Sequence, residues 1–169
     1  MQCRPSSSDE LNAQRREGGY TLSGKANGEV VAIGFTAGFV GAAAVLLTGR
    51  LLYYAGIGPA LVITSPLSLA PPDVYRPLVW GGLWGIPLGF ILRRLKGRHK
   101  AVGFIYFLAP VAALFLIFMP MRGMGLFGLN GGPGIMIHAL IANAPFGIVT
   151  TLAIGVLCGR ANTDGRLIR

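Results

Sequence analysis

Acidic side chains are nearly missing from this sequence. Six Asp and Glu stand among 169 residues, and none lies between Glu29 and Asp73 or between Asp73 and Asp164. The apolar runs therefore lack the carboxylate that proton-coupled pumps and antiporters keep in the bilayer despite its cost. Cysteine is equally scarce. Cys3 and Cys158 are the two, which excludes a disulfide-stapled secreted domain. No hydrophobic signal region precedes Cys3, so it does not read as a lipoprotein cysteine. Histidine is limited to His99 and His138, fewer than the roughly four ligands of a zinc site. No Ser-x-x-Lys, His-Glu-x-x-His or nucleophile elbow occurs in a suitable setting. The glycine-rich run at 123–134 lacks the Lys-Ser/Thr ending of a phosphate loop. The expectation is a chain that is not an enzyme, with no catalytic, cofactor-binding or metal residue assigned.

What the sequence has in abundance is uncharged length. Hydrophobic residues make up 53% and charged residues only 12%, against roughly 25% charged in soluble domains. The mean hydropathy of +0.61 agrees. Four candidate membrane spans follow, at about 29–48, 74–94, 101–121 and 134–159, giving an all-α integral membrane bundle over 29–160. Residues 1–28 read as a flexible cytoplasmic tail, polar and mixed in charge, and 161–169 as a second one. The first apolar run is long and lacks a small-x-small exit, so it is expected to stay as a signal anchor.

The fifteen Lys and Arg residues are distributed unevenly over this pattern. Arg4, Arg15, Arg16 and Lys25 precede the first span. Arg93, Arg94, Lys96, Arg98 and Lys100 fill the second loop, and Arg160, Arg166 and Arg169 follow the last span. Only Arg50, Arg76 and Arg122 fall in the other two loops. Cationic flanks resist translocation, so the richer side marks the cytoplasm and both termini are expected there. The net charge of +9 would suggest nucleic acid in a soluble chain. Here the cations are split among short segments with no aromatic platform, so the expected partner is the lipid bilayer and not nucleic acid.

Residues 51–72 are also uncharged, but Gly56, Gly58, Pro59, Pro66, Pro71 and Pro72 interrupt them too often for a span. A fifth crossing would also carry the basic 93–100 loop outward. An interfacial or re-entrant segment is expected instead, with Asp73 capping the helix that follows. Pro110 should kink the third span. A weak internal repeat aligns Arg50 and Pro87-Leu88-Gly89 with Arg122 and Pro145-Phe146-Gly147, which would make two pseudo-repeated helical hairpins.

Small residues recur at four-residue spacing. Gly34, Gly38 and Ala42 mark the first helix, and Gly81, Gly85 and Gly89 the second. Ala139, Asn143, Gly147, Thr151, Gly155 and Gly159 mark the fourth. Such stripes let helix backbones approach closely where lipid removes the hydrophobic drive between helices. The helix-packing set is therefore Gly34, Gly38, Gly81, Gly85, Gly89, Gly147 and Gly155, with Leu92 expected to face lipid. The candidate polar functional residues are His138, Asn143 and Glu29. His138 is expected to bond to the 123–133 loop, Asn143 to act as interhelical glue, and Glu29 to sit at the inner boundary. Packing within one bundle is the favoured meaning of the stripes, ahead of a homo-oligomer or a membrane-complex partner.

The run FMPMRGMGLFGLNGG, followed by a helix containing NAPFG, resembles a family of small uncharacterised four-helix bacterial inner-membrane proteins, loosely YagU-like. Their third span typically ends in a Pro-hydrophobic-x-Gly turn, matched by Pro120-Met121-Arg122-Gly123. Their last span often carries His-x-x-aromatic-Gly, where this chain has Asn143 in place of the histidine, so a role for that histidine does not carry over. The resemblance implies a fold and a bacterial inner-membrane address, and no activity. A non-enzymatic structural or interaction module is the leading expectation, and a small-solute or ion transporter or channel built from two hairpins the alternative.

The charge distribution makes a direct topological prediction. A reporter fused after Lys100 should behave as cytoplasmic and one after Pro71 as periplasmic. Both on one side of the membrane would contradict the four-span reading.

Overall fold

The computed structural model describes residues 22, 25–95 and 99–167, with side-chain surroundings over 22, 25–95 and 101–159. Most of the expected 1–28 tail, Cys3 included, lies outside the described residues, as do Lys96 and Arg98 of the basic loop and residues 168 and 169. Among the described residues the chain is helical, with no strand. Four long helices carry the structure: α1 (Asn27–Tyr54), α2 (Tyr75–Arg94), α3 (99–121) and α4 (133–167).

Helix α1 is 28 residues long, about 42 Å at 1.5 Å per residue, and so exceeds a hydrocarbon core of about 30 Å. It runs past the expected end at residue 48 because nothing before Gly56 breaks it. Gly56 stops it with φ 83°, a left-handed position that glycine enters without steric cost, while the Ala55 amide closes on the Leu51 carbonyl at 2.9 Å. The packed structure also starts before residue 28. Leu22 is 2% exposed and belongs to the core cluster of Val30, Ile33, Leu88, Leu92, Ile154 and Cys158.

Proline shapes the other helices. Without an amide hydrogen, a proline inside a helix cannot bond the carbonyl four residues earlier and crowds it. In α3 the break falls at Phe107, just beyond the Tyr106 carbonyl that Pro110 deprives. A five-residue π-helical stretch, Leu114–Phe118, precedes Pro120. In α4 the segments Pro133–Asn143 and Pro145–Leu167 meet at Ala144, next to Pro145. The last helix continues to Leu167 and includes most of the expected 161–169 tail. Asp73 does not cap α2. Its first residue is Tyr75, preceded by Val74 with no side-chain cap, because residues 71–74 form a turn with the Val74 amide bonded to the Ala70 carbonyl.

Among the described residues three helices are long and apolar enough to cross a membrane: Asn27–Tyr54, Ala101–Met121 and Pro133–Gly159. Helix α2 is not among them. Its four glycines, two tryptophans and Pro87 lower its hydropathy, and Arg76, Arg93 and Arg94 bound it. The chain thus has multi-pass membrane character carried by three helices.

Helices adjacent in the chain run antiparallel, and so do α1 and α4. Helix α1 is central, with its most extensive packing against α2 and the next against α4. Helix α3 lies mainly on α4 and reaches α2 through two tryptophans. The Tyr106 hydroxyl donates to the Trp84 carbonyl at 2.7 Å, and the Trp80 and Phe118 rings meet edge-on at 5.1 Å. A second core cluster, Val111, Phe115 and Met119, joins α3 to the first segment of α4. Leu92 is 1% exposed and faces the α1–α4 core instead of lipid.

Residues 55–74 cap the end of the bundle away from Arg93. Arg50 donates to the Leu67 carbonyl at 3.3 Å and to the Tyr54 hydroxyl at 3.0 Å, and Tyr53 donates to the Thr64 carbonyl at 3.3 Å. A Cβ on Gly134 of α4 would lie 2.9 Å from the Leu61 carbonyl carbon. This segment is folded over the ends of α1 and α4 and does not form a further long helix.

The α1–α2 packing yields a stability prediction. A leucine at Gly85 would drive its side chain into the α1 backbone, and overpacking of this kind costs about 1–3 kcal/mol. Leu83, an exposed residue on the same helix, provides the control. Thermal unfolding in mild detergent should show a clear loss for Gly85→Leu and little change for Leu83→Ile; equal stabilities would contradict the packing.

Candidate functional site

The feature with most structural consequence is a set of glycine contacts that draws three helix pairs together. Gly34 and Gly38 of α1 face Gly81 and Gly85 of α2 with no side chain between them. A Cβ on Gly38 would lie 2.7 Å from Gly85 Cα, and one on Gly85 would lie 2.7 Å from Gly38 Cα. Gly89 sits at the looser end of the seam, where a Cβ would meet the Val30 carbonyl oxygen at an ordinary 3.4 Å. The seam is tight because glycines on both helices share one face at four-residue spacing.

The second hairpin has its own contact. A Cβ on Gly147 of α4 would lie 2.9 Å from the Gly103 carbonyl carbon of α3, and one on Gly103 would lie 2.8 Å from Thr151 Cβ. Between the hairpins, Gly41 of α1 faces Phe146 and Thr150 of α4, with a Cβ there reaching 3.1 Å from the Phe146 carbonyl oxygen. Gly41 and Gly103 are absent from the sequence-derived packing set because neither belongs to a four-residue stripe. Their signal is weaker: the small-residue run 41–44 for one, a lone glycine in an apolar helix for the other. Gly155 is half-buried on α4, and Gly159, one turn further along the same helix, is exposed.

The polar candidates do not converge. Asn143 donates from Nδ2 to the Ala139 carbonyl of its own helix at 2.8 Å, so this bond is intrahelical and not the expected interhelical one. Fully buried Thr150 similarly donates to the Phe146 carbonyl at 2.6 Å. Both bonds reach back four residues, which lets a hydroxyl or amide enter an apolar interior with its donor satisfied. Thr151 is also buried, beside Gly103. His138 is half-buried near the start of α4, and its Nδ1 is shielded from solvent with no hydrogen-bond partner among the described residues. The expected bond to the 123–133 loop is not made because that loop satisfies itself. Asn130 donates to the Gly123 carbonyl at 3.1 Å through its side chain and to the Met124 carbonyl at 3.0 Å through its amide.

Glu29 lies at the other end of the bundle, in the first turn of α1, ion-paired with Lys25 one turn earlier. Beside it, Arg93 of α2 donates to Asn27 Oδ1 at 2.7 Å. A cavity of about 410 Å³ opens here, lined by Asn27, Phe90, Arg93 and Arg94. A second, of about 330 Å³, lies on the flank of the α3–α4 pair, lined by Phe104, Ile148, Thr151 and Leu152. Neither brings His138, Asn143 and Glu29 together. Among the described residues no group of three His, Cys, Asp or Glu is placed to hold a metal ion.

No family model matches the chain, and no curated protein or solved structure matches it.

Proposed function

We propose that this chain is a four-span protein of the bacterial inner membrane, with both ends cytoplasmic, that serves as a close-packed, non-enzymatic structural or interaction module. The observation that carries the proposal is the backbone-to-backbone seam of Gly34 and Gly38 with Gly81 and Gly85. Helices held this closely leave no width between them for a permeating solute, and the buried threonine and asparagine donors discussed above are turned to their own helices.

Helix α2 supports the fourth crossing. Its 20 residues span about 30 Å, the thickness of a hydrocarbon core. The glycines that lower its hydropathy are hidden against α1, while Val79, Trp80, Leu83 and Ile91 face outward. A surface of that kind suits lipid. The antiparallel order brings the start of α1, the end of α2, the start of α3 and the end of α4 to one end, and the segments at that end carry the cation-rich side of the sequence. Kinship with the YagU-like proteins, implied by residues 120–123 and 143–147, belongs to the same proposal, as does an origin of the two hairpins by duplication. Gly89 and Gly147 each face the preceding helix of their own hairpin, and each follows a buried apolar residue, Leu88 in one and Phe146 in the other.

The decisive comparison is with a proton-coupled transporter, for which Glu29 would be the carboxylate available. Paired with Lys25 and 40% exposed, its charge is partly screened and worth about 1 kcal/mol or less. In proteoliposomes the wild type and Glu29→Gln should show the same proton flux as empty vesicles and the same thermal stability. A proton-driven flux that disappears in the Gln variant would overturn the proposal.

A further inference from the structure

We infer that the cavity where the start of α1 meets the end of α2 is a binding site for a phosphate-ester anion, and the inference rests on the membrane reading above. Its lining residues are two arginines, Arg93 and Arg94, with Asn27 and Phe90. Arginine is the side chain best suited to phosphate oxygens, because its planar fork offers paired donors that remain charged at any physiological pH.

Among the described residues no carboxylate lines this cavity. Arg93 is held by the neutral Oδ1 of Asn27, not by a carboxylate, so the contact fixes one arm of the guanidinium without cancelling its charge. Glu29, the nearby acid, is already paired with Lys25. Asp73, the other carboxylate with described surroundings, lies before α2, at the opposite end of that helix from Arg93. Two arginines thus line a cavity of about 410 Å³, within the range of ordinary small-molecule sites.

The remaining wall says how the rest of the ligand would lie. Phe90 is apolar, and the outward-facing Ile91 and Val31 continue an apolar surface from the two helices. A headgroup phosphate seated on the arginines would leave its acyl chains along that surface. Basic pockets at the cytoplasmic boundary of membrane helices recognise anionic headgroups in this way. A free phosphate ester would use the same donors without the apolar wall.

The test uses full-length protein in mild detergent, with thermal unfolding followed on separate addition of phosphatidylglycerol, phosphatidylcholine and inorganic phosphate. Phosphatidylglycerol should stabilise the wild type, and Arg93→Gln with Arg94→Gln should weaken its apparent affinity at least tenfold. Asn27→Ala, which releases Arg93 while keeping both charges, should weaken it several-fold. Arg122→Gln, at the opposite end of the bundle, should leave it unchanged. Should the double variant fail to fold, Arg94→Gln alone decides, with a several-fold loss expected. Inorganic phosphate that displaces the lipid supports the site and assigns it to soluble phosphate esters as well; phosphate without effect supports the site and assigns it to lipid. Equal binding by the wild type and the arginine variants, or phosphatidylcholine binding as well as phosphatidylglycerol, overturns the inference. If that happens while reporter fusions still show four spans, the membrane reading stands and only the anion site falls.

Discussion

The close approach of α1 to α2 is the constraint on which the rest of the bundle depends. Inside a bilayer, lipid tails solvate leucine as well as another helix does, so association must come from dispersion contacts and hydrogen bonds. Those contacts fall away steeply with distance. Glycines on both sides bring the two backbones together, and α1 then presents its remaining faces to α4. Gly41 serves that second contact and Gly103 with Gly147 a third, so three of the helix pairings share one device. The bulkier residues fill the ends of the bundle, with Leu22, Leu88 and Ile154 in one cluster and Phe115 and Met119 in the other.

The two ends of the molecule differ in how they use charge. At one, Arg50 is occupied with the Leu67 carbonyl and the Tyr54 ring and hydroxyl, holding the 55–74 segment in place. At the other, Arg93 is steadied by a neutral amide and its charge is left available. The same residue type therefore acts as a clasp at one end and as a receptor at the other. What differs is the partner that the fold supplies.

Much of this was legible in the sequence because it depends on spacing. Gly34 and Gly38, and Gly81 and Gly85, each fall on one helical face by count alone, and Pro110 marks the break in the third helix. What depends on pairing across the bundle was not legible. Leu92 reads as lipid-facing until α1 and α4 are seen to cover it. Asn143 reads as interhelical until its bond to Ala139 is drawn, since a carbonyl four residues back competes with any partner on another helix. Asp73 reads as a cap because its residue type suits that role, yet the turn at 71–74 moves the helix start beyond it. The site at Asn27 and Arg93 joins residues 66 positions apart, and no local pattern announces it. Helix α2 is a different case: its glycines lower its hydropathy as a segment while serving the contact that hides them.

The most direct test of the account is a double-mutant cycle at Gly38 and Gly85, read as thermal or denaturant stability in a lipid-like detergent. Each change to alanine adds one Cβ to the same gap, so the first substitution must already part the helices. The account predicts that each single variant is destabilised and that the double variant loses less than the sum, with a coupling of about 0.5 kcal/mol or more. Two single variants as stable as the parent, or losses that simply add, would contradict it.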